Sequence, residues 1–373
     1  MNQNAEFAVQ MEQWDEFIRT EQWDAARHAG EQLRQEYPKE PGVLTNWGVV
    51  ALHDGRADDA ERAWNRALQI ESTHQGALIW MGFCALRQKR WREAYDWGHR
   101  ILTVDPDSKD AKQILSRALG WIGQAHITAA EWDKVLVVAQ ELLRYEPDSA
   151  TAHYLLGWAE IGHDAPAVRA EKHFRKSLAL IGSSPSSCDA TAGNISWGLG
   201  DSLYRQERFA EAQLIFRDLK RARPDDAILQ NGERNALAGL VKQAMSMGDG
   251  VHIKAWSDEL LVADPDSVLG WNARGVYLLQ HAGQARAAIP CFQHALDHAK
   301  SSSDKAICSV NLGWAWMRLH RPGRAERAFR LAKQHNPHSN DARIALQVRR
   351  MQKRYDALLG MALVIVVFTM VVH

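Results

Sequence analysis

A glycine that returns after an apolar run at a nearly constant interval constrains the fold of this chain more than any other feature. Most of these glycines lie 34 residues apart, or 34 plus a short insertion, and they are Gly48, Gly82, Gly123, Gly157, Gly200, Gly275 and Gly313. Prolines follow the same rhythm at Pro38, Pro106, Pro147, Pro224, Pro265 and Pro337. Repeats of this length are too small to bury an apolar face alone, so they stack into an array. The interval therefore predicts a repeat protein.

The last repeat shows which secondary structure the pattern favours. Its two halves each carry three small or apolar residues at helical spacing, first Leu312, Gly313 and Trp316, then Ala325, Phe329 and Ala332. Residues at these spacings share one face of a helix. A glycine where two helices cross allows a close approach, and the aromatic ring fills the adjacent space. Pro337 ends the second helix because it cannot continue the hydrogen-bond ladder.

This order of residues resembles the tetratricopeptide repeat. It appears again at Leu44, Trp47, Gly48, Ala60, Trp64 and Ala67, and at Leu199, Gly200, Leu203, Ala212, Phe216 and Leu219. The resemblance covers about nine units, up to about residue 340. It implies an all-α fold, a right-handed superhelical solenoid of antiparallel helix pairs. An unrelated helical bundle is the alternative.

A longer period groups the repeats. The spacing grows to 41 residues between the third and fourth repeats and between the sixth and seventh. Seven extra residues are about two helical turns, so a helix lengthens there without rotating its buried face. We predict three blocks of three repeats, 1–115, 116–233 and 234–340, followed by a basic helix over 341–356. Two polar segments, 183–187 and 300–305, are predicted as surface loops.

The C-terminal segment has a different composition. Residues 357–372 carry no charge, and the basic residues Arg349, Arg350, Lys353 and Arg354 precede them. Sixteen residues span about 24 Å as a helix, against about 30 Å for a hydrocarbon core. We predict a single-pass transmembrane tail, with the repeats facing the cytoplasm by the positive-inside rule. A helix that caps the last repeat is the alternative.

Composition and motifs argue against several classes of function. The chain has 45 basic and 45 acidic residues, which is a poor match to nucleic acid. No phosphate-binding loop, nucleophile elbow or His-Glu-x-x-His motif occurs, so we predict no enzyme, no cofactor, no metal and no small-molecule substrate. His294 and His298 lie one helical turn apart beside Asp297, but the sequence offers no further ligand, and a solvated helix face is preferred. The four cysteines are far apart and are expected to be buried and reduced.

In the repeats that this chain resembles, the first helices line a groove that holds a partner. The positions that the resemblance places there are Ile79, Phe83, Tyr154, Trp158, Trp197, Val276, Val310 and Trp314. Family members that bind a chaperone's C-terminal carboxylate carry lysine and asparagine here instead. An apolar, aromatic groove suits an amphipathic helix or an extended apolar segment of a protein partner. In the alternative, these side chains pack between neighbouring repeats and contact no ligand.

The sequence therefore predicts a protein–protein interaction scaffold, tethered to a membrane and accessory to a bacterial secretion, pilus or envelope-assembly system. The alternative is a chaperone that shields apolar segments of an exported client, with the C-terminal helix as a cap.

Overall fold

The computed structural model describes residues 3–183, 192–340 and 342–354. Within these ranges every regular element is an α-helix, and consecutive helices pack against each other over residues 3–183 and over residues 209–335. The eighteen helices up to residue 335 are α1 (Gln3–Arg19), α2 (Trp23–Glu36), α3 (Pro41–His53), α4 (Ala57–Ile70), α5 (Gln75–Arg87), α6 (Trp91–Val104), α7 (Lys109–Thr128), α8 (Trp132–Tyr145), α9 (Ala150–Gly162), α10 (Ala167–Ser183), α11 (Ala192–Arg205), α12 (Phe209–Ala222), α13 (Ala227–Met247), α14 (Gly250–Ala263), α15 (Val268–Gln280), α16 (Ala285–His298), α17 (Ser302–Arg318) and α18 (Pro322–His335). Residues 342–354 form α19. The predicted all-α fold of paired helices is confirmed.

The turn inside each helix pair uses one residue in the left-handed conformation. In the described ranges, φ is positive at six non-glycine residues and three glycines: Glu21, Gly55, Lys89, Ala130, Asp164, Glu207, Gly248, Gly283 and His320. Each lies between the first and second helix of one pair, from α1–α2 to α17–α18. Nine pairs and one further helix roughly match the predicted number of repeats.

The turn between pairs is encoded by proline and by capping side chains. Each of the six rhythmic prolines lies two residues after a second helix ends, for example Pro265 after Ala263. The following helix begins with a polar cap in several pairs: Ser149 Oγ accepts from the Ala152 N–H, and Ser267 Oγ accepts from the Gly270 N–H. These caps satisfy N–H groups that the helix itself leaves unpaired.

The predicted lengthening after the third and after the sixth repeat is confirmed. Helix α7 has 20 residues and α13 has 21, whereas α3, α5, α9 and α15 have 13 each. The prediction of a loop at 300–305 is wrong in part, because α17 begins at Ser302. Ser301 Oγ caps it by accepting from the Asp304 N–H. The other predicted loop falls largely on residues 184–191, which lie outside the described residues.

Glycine on a first helix faces an aromatic ring on the second helix. A Cβ built on Gly275 would lie 2.5 Å from Cε1 of Phe292, and one built on Gly313 would lie 2.2 Å from Cε1 of Phe329. Both phenylalanines are fully buried. At these positions glycine is required because the ring occupies the volume that a side chain would need, whereas Gly82 and Gly123 face the aliphatic side chains of Ile114 and Leu155.

The described cysteines are also part of the core. Cys84, Cys291 and Cys308 are buried and form no disulfide, as expected. Burial raises the pKa of the Cys84 thiol to about 11 and that of Cys308 to about 12. Cys188 lies outside the described residues.

The chain divides into two compact units, Met1–Ser202 and Leu203–His373. The first unit has cores around Trp14 and around Trp64, Leu78 and Ile101. The second has cores around Leu240 and around Phe292 and Ala315. The division into three blocks of three repeats stays a prediction.

The predicted localisation, a membrane protein with a single C-terminal span and cytoplasmic repeats, is contradicted. No helix in the described part of the chain is long and apolar enough to cross a membrane. The proposed span, 357–372, lies outside the described residues. Of the basic residues expected to flank it, Arg350, Lys353 and Arg354 are exposed on α19, but Arg349 is buried. Arg349 shares the buried face of α19 with Ala342 and Ala345, so it is part of the helix packing.

Candidate protein-binding surfaces

All eight residues predicted to line the groove lie on first helices, namely α5, α9, α11, α15 and α17. Tyr154, Val276 and Val310 are buried, and the other five are half-buried: Ile79, Phe83, Trp158, Trp197 and Trp314. The half-buried residues combine packing inside the protein with some remaining exposed area. They are the members of the predicted set that a partner could contact.

The largest aromatic group in the first unit surrounds Trp158. Its ring stacks on Trp197 with centroids 5.1 Å apart and meets Phe174 edge-on at 5.7 Å. Tyr154 lies beside it at 6.5 Å, and its hydroxyl donates to Gln124 Oε1 at 2.9 Å. The structure therefore brings three of the predicted residues, Tyr154, Trp158 and Trp197, into one cluster.

The indole nitrogens of this cluster are not satisfied. Nε1 of Trp158 and Nε1 of Trp197 are buried and have no hydrogen-bond partner in the described part of the chain. By contrast, Nε1 of Trp64 donates to the Thr45 carbonyl at 3.0 Å. A buried N–H without an acceptor costs about 1–3 kcal/mol. Nε1 of the fully buried Trp14 is also unpaired among the described residues, so the Trp158 cluster is distinguished by two such groups on adjacent, half-buried rings.

The other predicted residues lie in separate groups. Ile79 and Phe83 pack against the Trp64 core, with Phe83 edge-on to Trp80 at 6.3 Å. In the second unit, Trp314 meets Phe329 edge-on at 5.3 Å. Val276 belongs to the core against which Trp314 packs. These groups are built like the interior of a helix pair, which fits the alternative role of packing between helices.

Sequence reasoning missed an arginine-lined cavity in the first unit. The cavity has a volume of about 610 Å³ and opens between α2, α3 and α4. Its charged lining residues are Arg34, Arg56, Arg62, Arg66 and Asp59. The guanidinium of Arg34 lies 4.6 Å from the Trp47 ring centroid, and that of Arg56 lies 5.7 Å from it. No repeat pattern signals this cavity, because its arginines come from helices of two different pairs.

One acidic side chain organises the arginines beside this cavity. Asp54 Oδ1 lies 2.9 Å from Arg27 Nη2, and its Oδ2 lies 2.9 Å from Arg56 Nη2. The hydrogen bond from Arg27, followed by that from Arg56, holds the pKa of Asp54 well below its usual range. Arg56 is thereby held in ion pairs with Asp54 and Asp59, whereas Arg34 and Arg66 form no ion pair within the described residues.

Comparison with known proteins identifies the repeat. Residues 12–76 match the model of the tetratricopeptide repeat family. Anaphase-promoting complex subunit 3 of Schizosaccharomyces pombe is 30% identical over 110 residues, covering 30% of this chain and 16% of that protein. Cellulose synthase operon protein C of Xanthomonas axonopodis pv. citri is 27% identical over 267 residues, covering 68% of this chain and 16% of that protein. The matched parts of these curated relatives are thus about a sixth of their length.

Solved structures with a similar fold include the tetratricopeptide repeat domain of P58(IPK), at a TM-score of 0.32 and 13% identity over 94% of this chain and 99% of that one. The Cut9–Hcn1 structure gives a TM-score of 0.35 at 14% identity, over 94% of this chain and 78% of that one. The paired helices define a helical repeat fold. Within it, the family match shows that residues 12–76 resemble the tetratricopeptide repeat.

Proposed function

We propose that this chain is a protein-interaction scaffold that binds an extended apolar segment of a partner protein on the first helices of its first unit. The observation that carries the proposal is the half-buried Trp158–Trp197 stack with its two unpaired indole N–H groups. Tryptophan and tyrosine dominate the energetics of protein interfaces because they combine large apolar area with a polar edge.

The unpaired donors favour an extended segment over a helix. In a helix the backbone carbonyls already accept hydrogen bonds from its own N–H groups, except in the last turn. An extended segment carries free carbonyl oxygens along its whole length. A small rotation of either indole would direct its N–H to such a carbonyl while the ring contacts an apolar side chain.

The cellular setting is proposed from one relative. Cellulose synthase operon protein C matches 68% of this chain at 27% identity, which supports an accessory role in a bacterial secretion, pilus or envelope-assembly system. The partner would then be a protein of that system.

The test is selection and measurement of peptide binding. The purified chain is used to select from a library of random 12-residue peptides, and the dissociation constant of a selected peptide is measured by fluorescence anisotropy. Trp158→Phe and Trp197→Phe keep a stacked ring and remove the N–H. We expect about tenfold weaker binding for each, equivalent to about 1.4 kcal/mol, at unchanged helicity.

The matched control is Trp121→Ala. Trp121 stacks on Trp91 at 5.0 Å on a first helix of the same unit, outside the predicted groove. Its removal should change the dissociation constant less than twofold. Equal affinity for all variants would refute binding at the Trp158 cluster. Selection of many unrelated apolar peptides with similar affinity would instead support the chaperone alternative.

A further inference from the structure

An aspartate and two histidines meet on the surface of the second unit. Asp266 lies in the turn between α14 and α15, and His294 and His298 lie one turn apart near the end of α16. Each side chain offers one ligand atom, and the three atoms lie within 4.8 Å of one another. The sequence places Asp266 28 residues before His294, so only the packing of the pair brings them together.

The ring of His298 is already oriented for metal binding. Its Nδ1 lies 2.9 Å from the carbonyl oxygen of His294. Because a carbonyl can only accept, this nitrogen carries a proton, and in the neutral ring Nε2 then keeps its lone pair for a metal. Nε2 lies 3.5 Å from Oδ1 of Asp266. Two ligands of a tetrahedral zinc ion, each at about 2.0 Å, are about 3.3 Å apart. A hydrogen bond from the second ring nitrogen to a backbone carbonyl is the usual way in which a metal-binding histidine is held.

Trp271 supports both sides of the cluster. Its Nε1 donates to the carbonyl of Pro265 at 2.7 Å, which fixes the turn next to Asp266. Its ring lies 4.5 Å from the ring of His294. The rings of His294 and His298 are nearly parallel, with centroids 4.3 Å apart. Nδ1 of His294 is buried and has no hydrogen-bond partner in the described residues, so no contact fixes its proton.

One other helix pair of the same chain places a cation opposite the equivalent turn carboxylate. Asp148 lies two residues before α9, as Asp266 lies two residues before α15. Lys176 is the tenth residue of α10, as His294 is the tenth residue of α16. In the first case the carboxylate and the ammonium lie 3.9 Å apart. In the second, two imidazoles replace the ammonium, and a bound cation would supply the missing positive charge.

We propose that Asp266, His294 and His298 bind one Zn²⁺ ion, which clips the turn between α14 and α15 to the end of α16. Two imidazoles and a carboxylate suit zinc, whereas Mg²⁺ and Ca²⁺ require oxygen ligands. The side chain of Asp266 is 72% exposed and that of His298 is 41% exposed, so water completes the tetrahedron. Because the three ligand atoms lie within 4.8 Å of one another, forming the tetrahedron needs movements of up to about 1.5 Å, which the exposed side chains of Asp266 and His298 can share.

The experiment uses the full chain after treatment with a chelator. Zn²⁺ is titrated in competition with a chromogenic chelator, and Co²⁺ is used as a spectroscopic probe because tetrahedral Co²⁺ absorbs visible light. We expect one tight equivalent of Zn²⁺, a tetrahedral Co²⁺ spectrum and a higher Tm with zinc. His298→Ala and Asp266→Asn should each weaken zinc binding at least tenfold and abolish the rise in Tm.

Two control variants keep the test specific. Asp148→Asn alters the equivalent turn carboxylate, and His338→Ala removes an exposed histidine from a turn after α18. Both should retain the tight zinc equivalent. The proposal is overturned if wild type binds no tight equivalent, if Asp266→Asn binds as tightly as wild type, or if His338→Ala loses binding to the same extent. Circular dichroism of each variant separates loss of the site from loss of folding.

Discussion

Replacing Gly275 with alanine should destabilise the protein although alanine is the better helix former. The new Cβ would lie 2.5 Å from Cε1 and 2.8 Å from Cδ1 of Phe292, a fully buried ring. Two carbons require about 3.5–4.0 Å, so the ring or a helix has to move by about 1 Å. Overpacking of this kind costs about 1–3 kcal/mol, and the gain in helix propensity returns about 0.5–1 kcal/mol. We expect a net loss of about 1–2 kcal/mol in the free energy of unfolding.

Gly323→Ala is the matched control in the same unit. Gly323 lies in the first turn of α18, and a Cβ built on it meets no atom within 4 Å. This variant should keep the wild-type stability or gain up to about 0.5 kcal/mol. Urea unfolding followed by circular dichroism at 222 nm gives both values. A Gly275→Ala protein at least as stable as the control would refute the argument that the ring excludes a side chain.

Four further changes test other parts of the structure. Phe174→Ala should lower the free energy of unfolding by about 3–5 kcal/mol in urea melts, because the ring is fully buried. Burial lowers the pKa of His153 from 6.5 to about 4. The contribution of its neutral ring to the free energy of unfolding should therefore be fully present above about pH 6.5 and decrease as the pH falls towards 4. Thermal melts across this range should show a shallower decline for His153→Gln, and an equal decline would contradict a role for this ring. Cys84 and Cys308 should resist a thiol reagent at pH 8 until urea is added, as peptide mass spectrometry would show, because burial raises the pKa of both thiols. Gly55→Ala should cost about 1 kcal/mol because φ is +79° there, whereas an unchanged Tm would mean that the turn relaxes.

The membrane prediction was wrong because it used only a short stretch of sequence, which does not show which side chains a neighbouring helix buries. It rested on the apolar run at 357–372 and the basic residues before it. The described helices include none that could cross a membrane, and Arg349 packs against its own array instead of standing free. A charge count along the chain cannot distinguish a flanking arginine from one that a neighbouring helix buries.

The order of residues along the chain is sufficient to predict the helix pairs. The signals are proline after six of the second helices, serine before several first helices and glycine opposite an aromatic ring, and each acts within one or two turns of chain. The seven-residue extension of α7 was visible for the same reason, since two added turns preserve the buried face.

Which side chains of different helix pairs lie side by side becomes visible in the folded structure. It adds Asp266 to His294 and His298, and it assembles arginines from α2 and α4 around one cavity. It also shows that Ala130 has the same left-handed backbone conformation as Gly55 in the equivalent turn. The positions of the glycines in the sequence do not reveal this. These features depend on distances between residues far apart in sequence. Such distances follow from how the helices pack. The repeat pattern specifies the apolar residues that pack between helices, but it does not specify which polar residues meet on the surface.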